Sequence, residues 1–191
     1  MHPLPAWTVT AVSYGSPDAR RLTWALYREQ LATYGFADDP ADTPAEEFDA
    51  PHGTFLVASA GDGPALACCG WRTAGPGTAE FKRLYVDPAV RGQGLARHLM
   101  EALEQDARRH GKTHLILETG ARSRAALALC ASCGFTFTKP YAEGRNPDIN
   151  RAMHKTLRPP AMKPADKRVT RFQSCQQLAR RGRVPRKHCR G

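Results

Sequence analysis

Long hydrophobic runs are missing from this chain of 191 residues. No stretch approaches the roughly 18 apolar residues that a membrane span requires, and the opening MHPLPAWTVT lacks the charged-then-apolar order of a secretory leader. Both absences lead us to expect a cytoplasmic protein with no membrane partner. Cysteine is poorly placed for a structural role. The six at positions 68, 69, 130, 133, 175 and 189 lack the spacing of a small disulfide scaffold. Cys130 and Cys133 form a CxxC, but no second CxxC and no histidine pair stands at zinc spacing, so we read the cysteines as reduced thiols and expect no metal. Basic residues are absent from 35 to 53, where Asp38, Asp39, Asp42, Glu46, Glu47 and Asp49 have no local counter-charge.

Positive charge gathers instead at the far end. Of 28 Lys and Arg, ten lie in 159–191 beside a single acid, Asp166, which leaves 18 basic against 17 acidic residues in 1–158. The chain divides on this basis into a nearly neutral domain, 1–158, and a basic tail, 159–191. The tail begins with two prolines, has too few large apolar residues to build a core, and is expected to be disordered.

Within 1–158, strand and helix patterns alternate. WTVTAV, TFLVAS, ALACCGW, TAEFKRLYV, THLILE, FTFT and residues 150–157 read as strands. Ser16, Pro17 and Asp18 form a helix start, with a capping hydroxyl, proline in the first turn and a carboxylate near the positive end. A second helix follows position 94, with Leu95, Ala96, Leu99, Met100, Leu103 and Ala107 on one face. ARSRAALALCASC predicts a third, stopped by Gly134. The fold class expected is α/β, with helices on both faces of a mixed sheet, because a helix between two strands makes a right-handed parallel crossover.

Residues 90–96, VRGQGLA, stand where that second helix begins. A helix start leaves unpaired N–H groups and a partial positive charge. Gly92 and Gly94 leave no side chains to hold an anion away, and Arg91 adds a fixed charge, which together describe a pyrophosphate site. The plainer reading is a glycine turn into the helix. A P-loop is excluded because no GK[ST] closes the segment, and the dinucleotide fingerprint because Arg97 stands where a third small residue belongs.

The run from Glu80 to Ala96, EFKRLYVDPAVRGQGLA, resembles the coenzyme-A motif of the GNAT N-acetyltransferase superfamily: Arg or Gln, two variable residues, Gly, one variable residue, then Gly or Ala. Arg91, Gly94 and Ala96 match in register. LETGARSRAALALCASCGF resembles the second family motif, and with the order of elements the likeness spans about residues 7–157. The resemblance implies a GNAT-like acyl-CoA N-acyltransferase fold, with a mixed, mostly antiparallel sheet of six to seven strands. It also implies acetyl-CoA as co-substrate, held by Arg91, Gly92, Gln93, Gly94, Leu95 and Ala96 at its pyrophosphate. Leu84, Tyr85 and Val86 would lie along its arm, and Ser123 occupies a slot where relatives often carry asparagine.

Acetyl transfer to an amine needs a neutral amine, and a lysine-like ammonium keeps its proton up to about pH 10.4, so a base is useful. Glu80 matches the position of a catalytic glutamate in several family members; as a plain strand residue it would simply pair with Lys82, and the two readings stand side by side. Glu118 is a second candidate base. The acid departs from the family, because Cys130 fills the usual tyrosine slot. A thiol of pKa about 8.5 is a weak or incidental acid there, and Tyr141 is an alternative hydroxyl.

By the resemblance, the acidic segment 35–53 walls the acceptor site and would attract a cationic amine; a solvated polar loop is the duller account. The function expected is transfer of acetyl from acetyl-CoA to a primary amine of a small molecule or protein. The alternative is a coenzyme-A-binding module with weak catalysis, tethered to nucleic acid by its tail. Phe172 is the sole aromatic of 159–191, too little for base stacking, and nucleic-acid contact is the less favoured reading.

Overall fold

Alternation of side chains across a pleated strand gives the central sheet its two apolar faces. A computed structural model of the chain describes residues 6–142, 144–146 and 148–157; the expectation of a disordered tail falls outside the described residues. Seven strands, β1 (Trp7–Val12), β2 (Gly53–Ala60), β3 (Ala65–Gly75), β4 (Thr78–Val86), β5 (His114–Gly120), β6 (Thr136–Phe137) and β7 (Asn150–Thr156), form one sheet in the order β1-β2-β3-β4-β5-β7-β6. Only β4 and β5 pair in parallel; the other neighbours are antiparallel.

Along β2, Phe55 and Val57 face one core and Leu56 and Ala58 the other, the two-residue period of a strand covered on both sides. Helix α1 (Pro17–Tyr34) packs over the first face, its start held by Ser16 Oγ, which accepts from the Ala19 N–H at 3.4 Å, and its end by left-handed Gly35. Helix α2 (Leu95–Arg109) covers the second face with Leu95, Leu99, Met100, Leu103 and Ala107, all buried. The expected face is kept except at Ala96, which is half-buried. Helix α3 (Arg124–Ser132) joins the same side through Cys130. It begins three residues later than the sequence pattern suggests, because 121–123 form a turn.

Two departures matter for the site. The FTFT strand shrinks to Thr136–Phe137 and pairs with β7 at the sheet edge, so β7 lies between β5 and β6. The acidic segment is not a free loop. It carries short 3-10 turns at Pro40–Asp42 and Ala45–Phe48, and Phe48 is buried between Tyr14, stacked at 4.8 Å, and Phe55. Gly70 makes room for it: a Cβ there would lie 2.7 Å from the Phe48 ring. No helix among the described residues is long and apolar enough to cross a membrane.

Candidate active site

Parallel pairing of β4 with β5 runs from Thr78–His114 to Phe81–Leu117 and stops. Beyond that point β4 stays with β3, where Cys68 pairs with Tyr85 and Ala67 with Val86, while β5 stays with β7, where Glu118 pairs with Ala152. The two strands therefore splay, and the sheet opens in its middle. A β-bulge drives β4 away: Arg83 and Leu84 together oppose Cys69, and Arg83 adopts φ +61°, rare for a residue with a side chain. Its guanidinium reaches back to the Asp38 and Asp39 carbonyls and donates to Thr43 Oγ1 at 2.8 Å, tying the bulge to the acidic segment. A narrow cleft of about 120 Å³ occupies the opening, bordered by Lys82, Leu84, Glu118 and Cys130, and a cavity of about 780 Å³ adjoins it.

The motif at 91–96 lies after the splayed end of β4. Asp87 accepts from the Ala89 N–H and closes a short turn at Pro88–Val90, then Gly92 (φ +78°) and Gly94 (φ +83°) turn the chain into α2. The first intrahelical bond runs from His98 N–H to Gly94 O, no side chain caps the start, and the first turn holds no acid. The N–H groups of Leu95, Ala96 and Arg97 are thus available, and open space surrounds both glycines. This donor set and its access fit a pyrophosphate. Arg91 is preoccupied: it donates to Val86 O at 2.9 Å, pairs with Glu29 of α1 at 2.5 Å, and lies over the Tyr85 ring. Both partners are largely exposed, so the pair costs little to break.

The two candidate bases differ sharply. Glu80 is buried and fully engaged: Arg72 Nε donates to Oε2 at 2.7 Å, while Oε1 accepts from Tyr141 Oη at 3.1 Å and meets Lys82 Nζ at 3.5 Å. The expected pairing with Lys82 is present, but Arg72 is the closer partner. Glu118 forms an ion pair with Arg145 Nε at 3.2 Å through Oε2, whereas its buried Oε1 has no hydrogen-bond partner. Burial pushes its carboxyl above the ordinary glutamate range, helped by the Glu80 and Asp38 charges and opposed by Arg145 and Lys82.

Cys130 lies 3% exposed on α3 beside the cleft, and burial pushes its thiol up to about 11. Tyr141 follows β6, its hydroxyl already committed to Glu80 and raised by burial and by the nearby carboxylates. Leu84, Tyr85 and Val86 occupy the part of β4 that β5 has left. Ser123 begins α3 without a side-chain cap bond, one turn before Ala126 at the cleft.

The acidic segment does have counter-charges, supplied from far along the chain. Arg145 pairs with Asp38 at 3.0 Å, and Arg72 pairs with Glu47. Partial burial works against the Asp38 carboxylate, yet Arg145 holds it below its ordinary range. Arg72, Arg145 and Arg83 were missed as site residues. Apart from Arg72 and Glu80, eight positions apart across the β3–β4 pair, their partners lie 25 to 107 positions away, and no local pattern signals those contacts. Lys82 did have a signal, since it shares a strand face with Glu80. Among the described residues no group of three or more His, Cys, Asp or Glu could hold a metal ion.

Comparison with known proteins places this architecture. A model of the Acetyltransferase (GNAT) family matches residues 19–135. An uncharacterised N-acetyltransferase of Schizosaccharomyces pombe is 35% identical over 131 residues, covering 65% of this chain and 80% of that protein. An IAA acetyltransferase of Azospirillum brasilense is 35% identical over 81 residues, 42% of this chain and 53% of that one. Among solved structures, a candidate acyl-CoA N-acyltransferase from Klebsiella pneumoniae superposes with TM-score 0.67 at 28% identity, over 80% of this chain and 98% of its own. A Salmonella typhimurium structure containing its cofactor acetyl-CoA gives TM-score 0.62 at 23% identity, over 84% and 99%, a likeness of fold. With the family model covering more than half of the chain and the split sheet in place, the chain belongs to the acetyltransferase (GNAT) family.

Proposed function

We propose that this acetyltransferase moves the acetyl group of acetyl-CoA to a primary amine in the opening between β4 and β5, with Glu118 as general base. The observation that carries this reading is Glu118 itself: a half-buried carboxylate whose one buried oxygen, Oε1, has no partner, bordering both the narrow cleft and the large cavity. When bound, acetyl-CoA supplies an activated thioester. The free N–H groups of Leu95, Ala96 and Arg97, beside Gln93 and the open space at Gly92 and Gly94, would hold its pyrophosphate, and Arg91 would turn from Glu29 to join them. Leu84, Tyr85 and Val86 would flank its arm. There, alternate backbone N–H groups point where β5 no longer pairs and are placed to polarise a carbonyl oxygen. Ser123, its hydroxyl uncommitted to a cap, contacts the coenzyme from α3.

Glu118 Oε1 accepts the ammonium proton and releases a neutral amine as nucleophile. Its raised pKa brings it closer to that of the amine than an ordinary carboxylate. Glu80, held by Arg72, Lys82 and Tyr141, positions the cavity wall and keeps Tyr141 in place rather than moving a proton. Cys130 stays a thiol at neutral pH, and a donor titrating near 11 is too weak to be a dedicated acid. Thiol release from acetyl-CoA, followed with and without an amine, tests the reading: release must require the amine, and amine-independent or absent release would refute it.

A further inference from the structure

Lys82 and Glu118 are the first residues beyond Phe81 and Leu117, the last couple that β4 and β5 share. Each stands on one wall of the opening, and both border the cleft and the large cavity. Opposite charges so placed ordinarily close on each other, yet among the described residues these two form no ion pair. Lys82 Nζ meets only Glu80 Oε1, at a long 3.5 Å, so most of its hydrogen-bonding capacity is uncommitted. Glu118 Oε1 is buried without a donor. The opening thus presents an unfilled cationic donor on one wall and an unfilled anionic acceptor on the other.

The remaining charges around the large cavity are mostly paired with one another. Arg72 and Arg145 add two cations to Lys82 around the large cavity, and they neutralise Glu47 and Asp38. Among the described residues Glu46 is the one acid of the cavity without a partner, and it is exposed. A diamine would find one buried unfilled acceptor, Glu118 Oε1, for its two ammonium groups. A molecule with one ammonium and one carboxylate a few bonds apart meets one of each, and the cavity of about 780 Å³ leaves room for a side chain.

We propose that the acceptor is a free α-amino acid or close aminocarboxylate, its carboxylate bound by Lys82 Nζ and its ammonium presented to Glu118 Oε1. The proposal rests on the acetyl-transfer reading above and names the substrate class. In the reaction the thioester C–S bond breaks and a C–N bond forms. Of the two protons the ammonium loses, one passes to Glu118 and then to solvent. The other matches the proton taken up by the coenzyme thiolate, giving the N-acetyl amino acid and free thiol.

Matched pairs that differ only in the carboxylate test it: phenylalanine against 2-phenylethylamine, leucine against isoamylamine and lysine against cadaverine, with a lysine peptide added to the panel. On the full chain, kcat/KM for the acid should exceed that for its amine by about tenfold or more, the worth of one charge-assisted hydrogen bond. In Lys82→Met this ratio should collapse to about one, and Lys82→Arg should keep it, since either cation can hold a carboxylate. A ratio unchanged in Lys82→Met, or wild-type preference for the decarboxylated amines or the peptide, overturns the aminocarboxylate site while leaving acetyl transfer intact. No thiol release with any acceptor defeats both.

Discussion

Glu80 and Glu118 show how neighbouring strands give the same residue type different chemistry. Glu80 already faces three donors, whereas Glu118, with one partner and one orphaned oxygen, has the acceptor left open to a bound amine. Since the folded Glu118 titrates above its ordinary value, it is ionised only above that raised value, and kcat/KM should fall on the acid side at a pH above the usual glutamate range. Arg145 works against that rise, and Arg145→Met should move the acid limb further up while Arg145→Lys largely restores it; identical pH profiles for all three proteins would show that this limb is not Glu118. Cys130→Ala and Cys130→Ser should stay within about threefold of the wild-type rate, because loss of a true general acid costs about a hundredfold or more. The sequence marked Glu80, Glu118, Cys130 and Tyr141 as candidates, with Glu118 second to Glu80; it did not show the partners that distinguish the two glutamates, Arg72 across the β3–β4 pair and Arg145 from the segment before β7.

The start of α2 was the most legible element. Its glycines, its apolar face and the absence of an acid in its first turn are local properties, and the helix forms where they indicate. Gly94 should be replaceable only at a conformational cost. A Cβ meets nothing within 4 Å, but φ +83° is unfavourable for alanine by about 1–2 kcal/mol. Gly94→Ala should therefore lower stability by about that amount in urea titration and weaken acetyl-CoA binding, with little effect on kcat at saturation. Unchanged acetyl-CoA affinity would separate the loop from the coenzyme. The bulge at Arg83 was not legible. FKRLYV reads as an unbroken strand, and the extra residue opposite Cys69 is fixed by pairing with β3 and by the reach of Arg83 to Asp38, Asp39 and Thr43.

At the scale of the whole molecule, burying both faces of the sheet holds β3 and β4 together while β5 pairs with β7, so the opening follows from topology together with the bulge at Arg83. The strand and helix periods made most of this architecture readable, including the parallel β4–α2–β5 crossover. The insertion of β7 between β5 and β6, and the packing of the acidic segment through Phe48, rest on long-range contacts that no local pattern encodes. The central claim, that acetyl transfer is driven by Glu118 at this opening, is tested most directly by amine-dependent thiol release from acetyl-CoA in wild type and Glu118→Gln. The account predicts that acetyl-CoA binding is retained while kcat/KM for the amine falls about a hundredfold or more. A Glu118→Gln enzyme that turns over at the wild-type rate would contradict it.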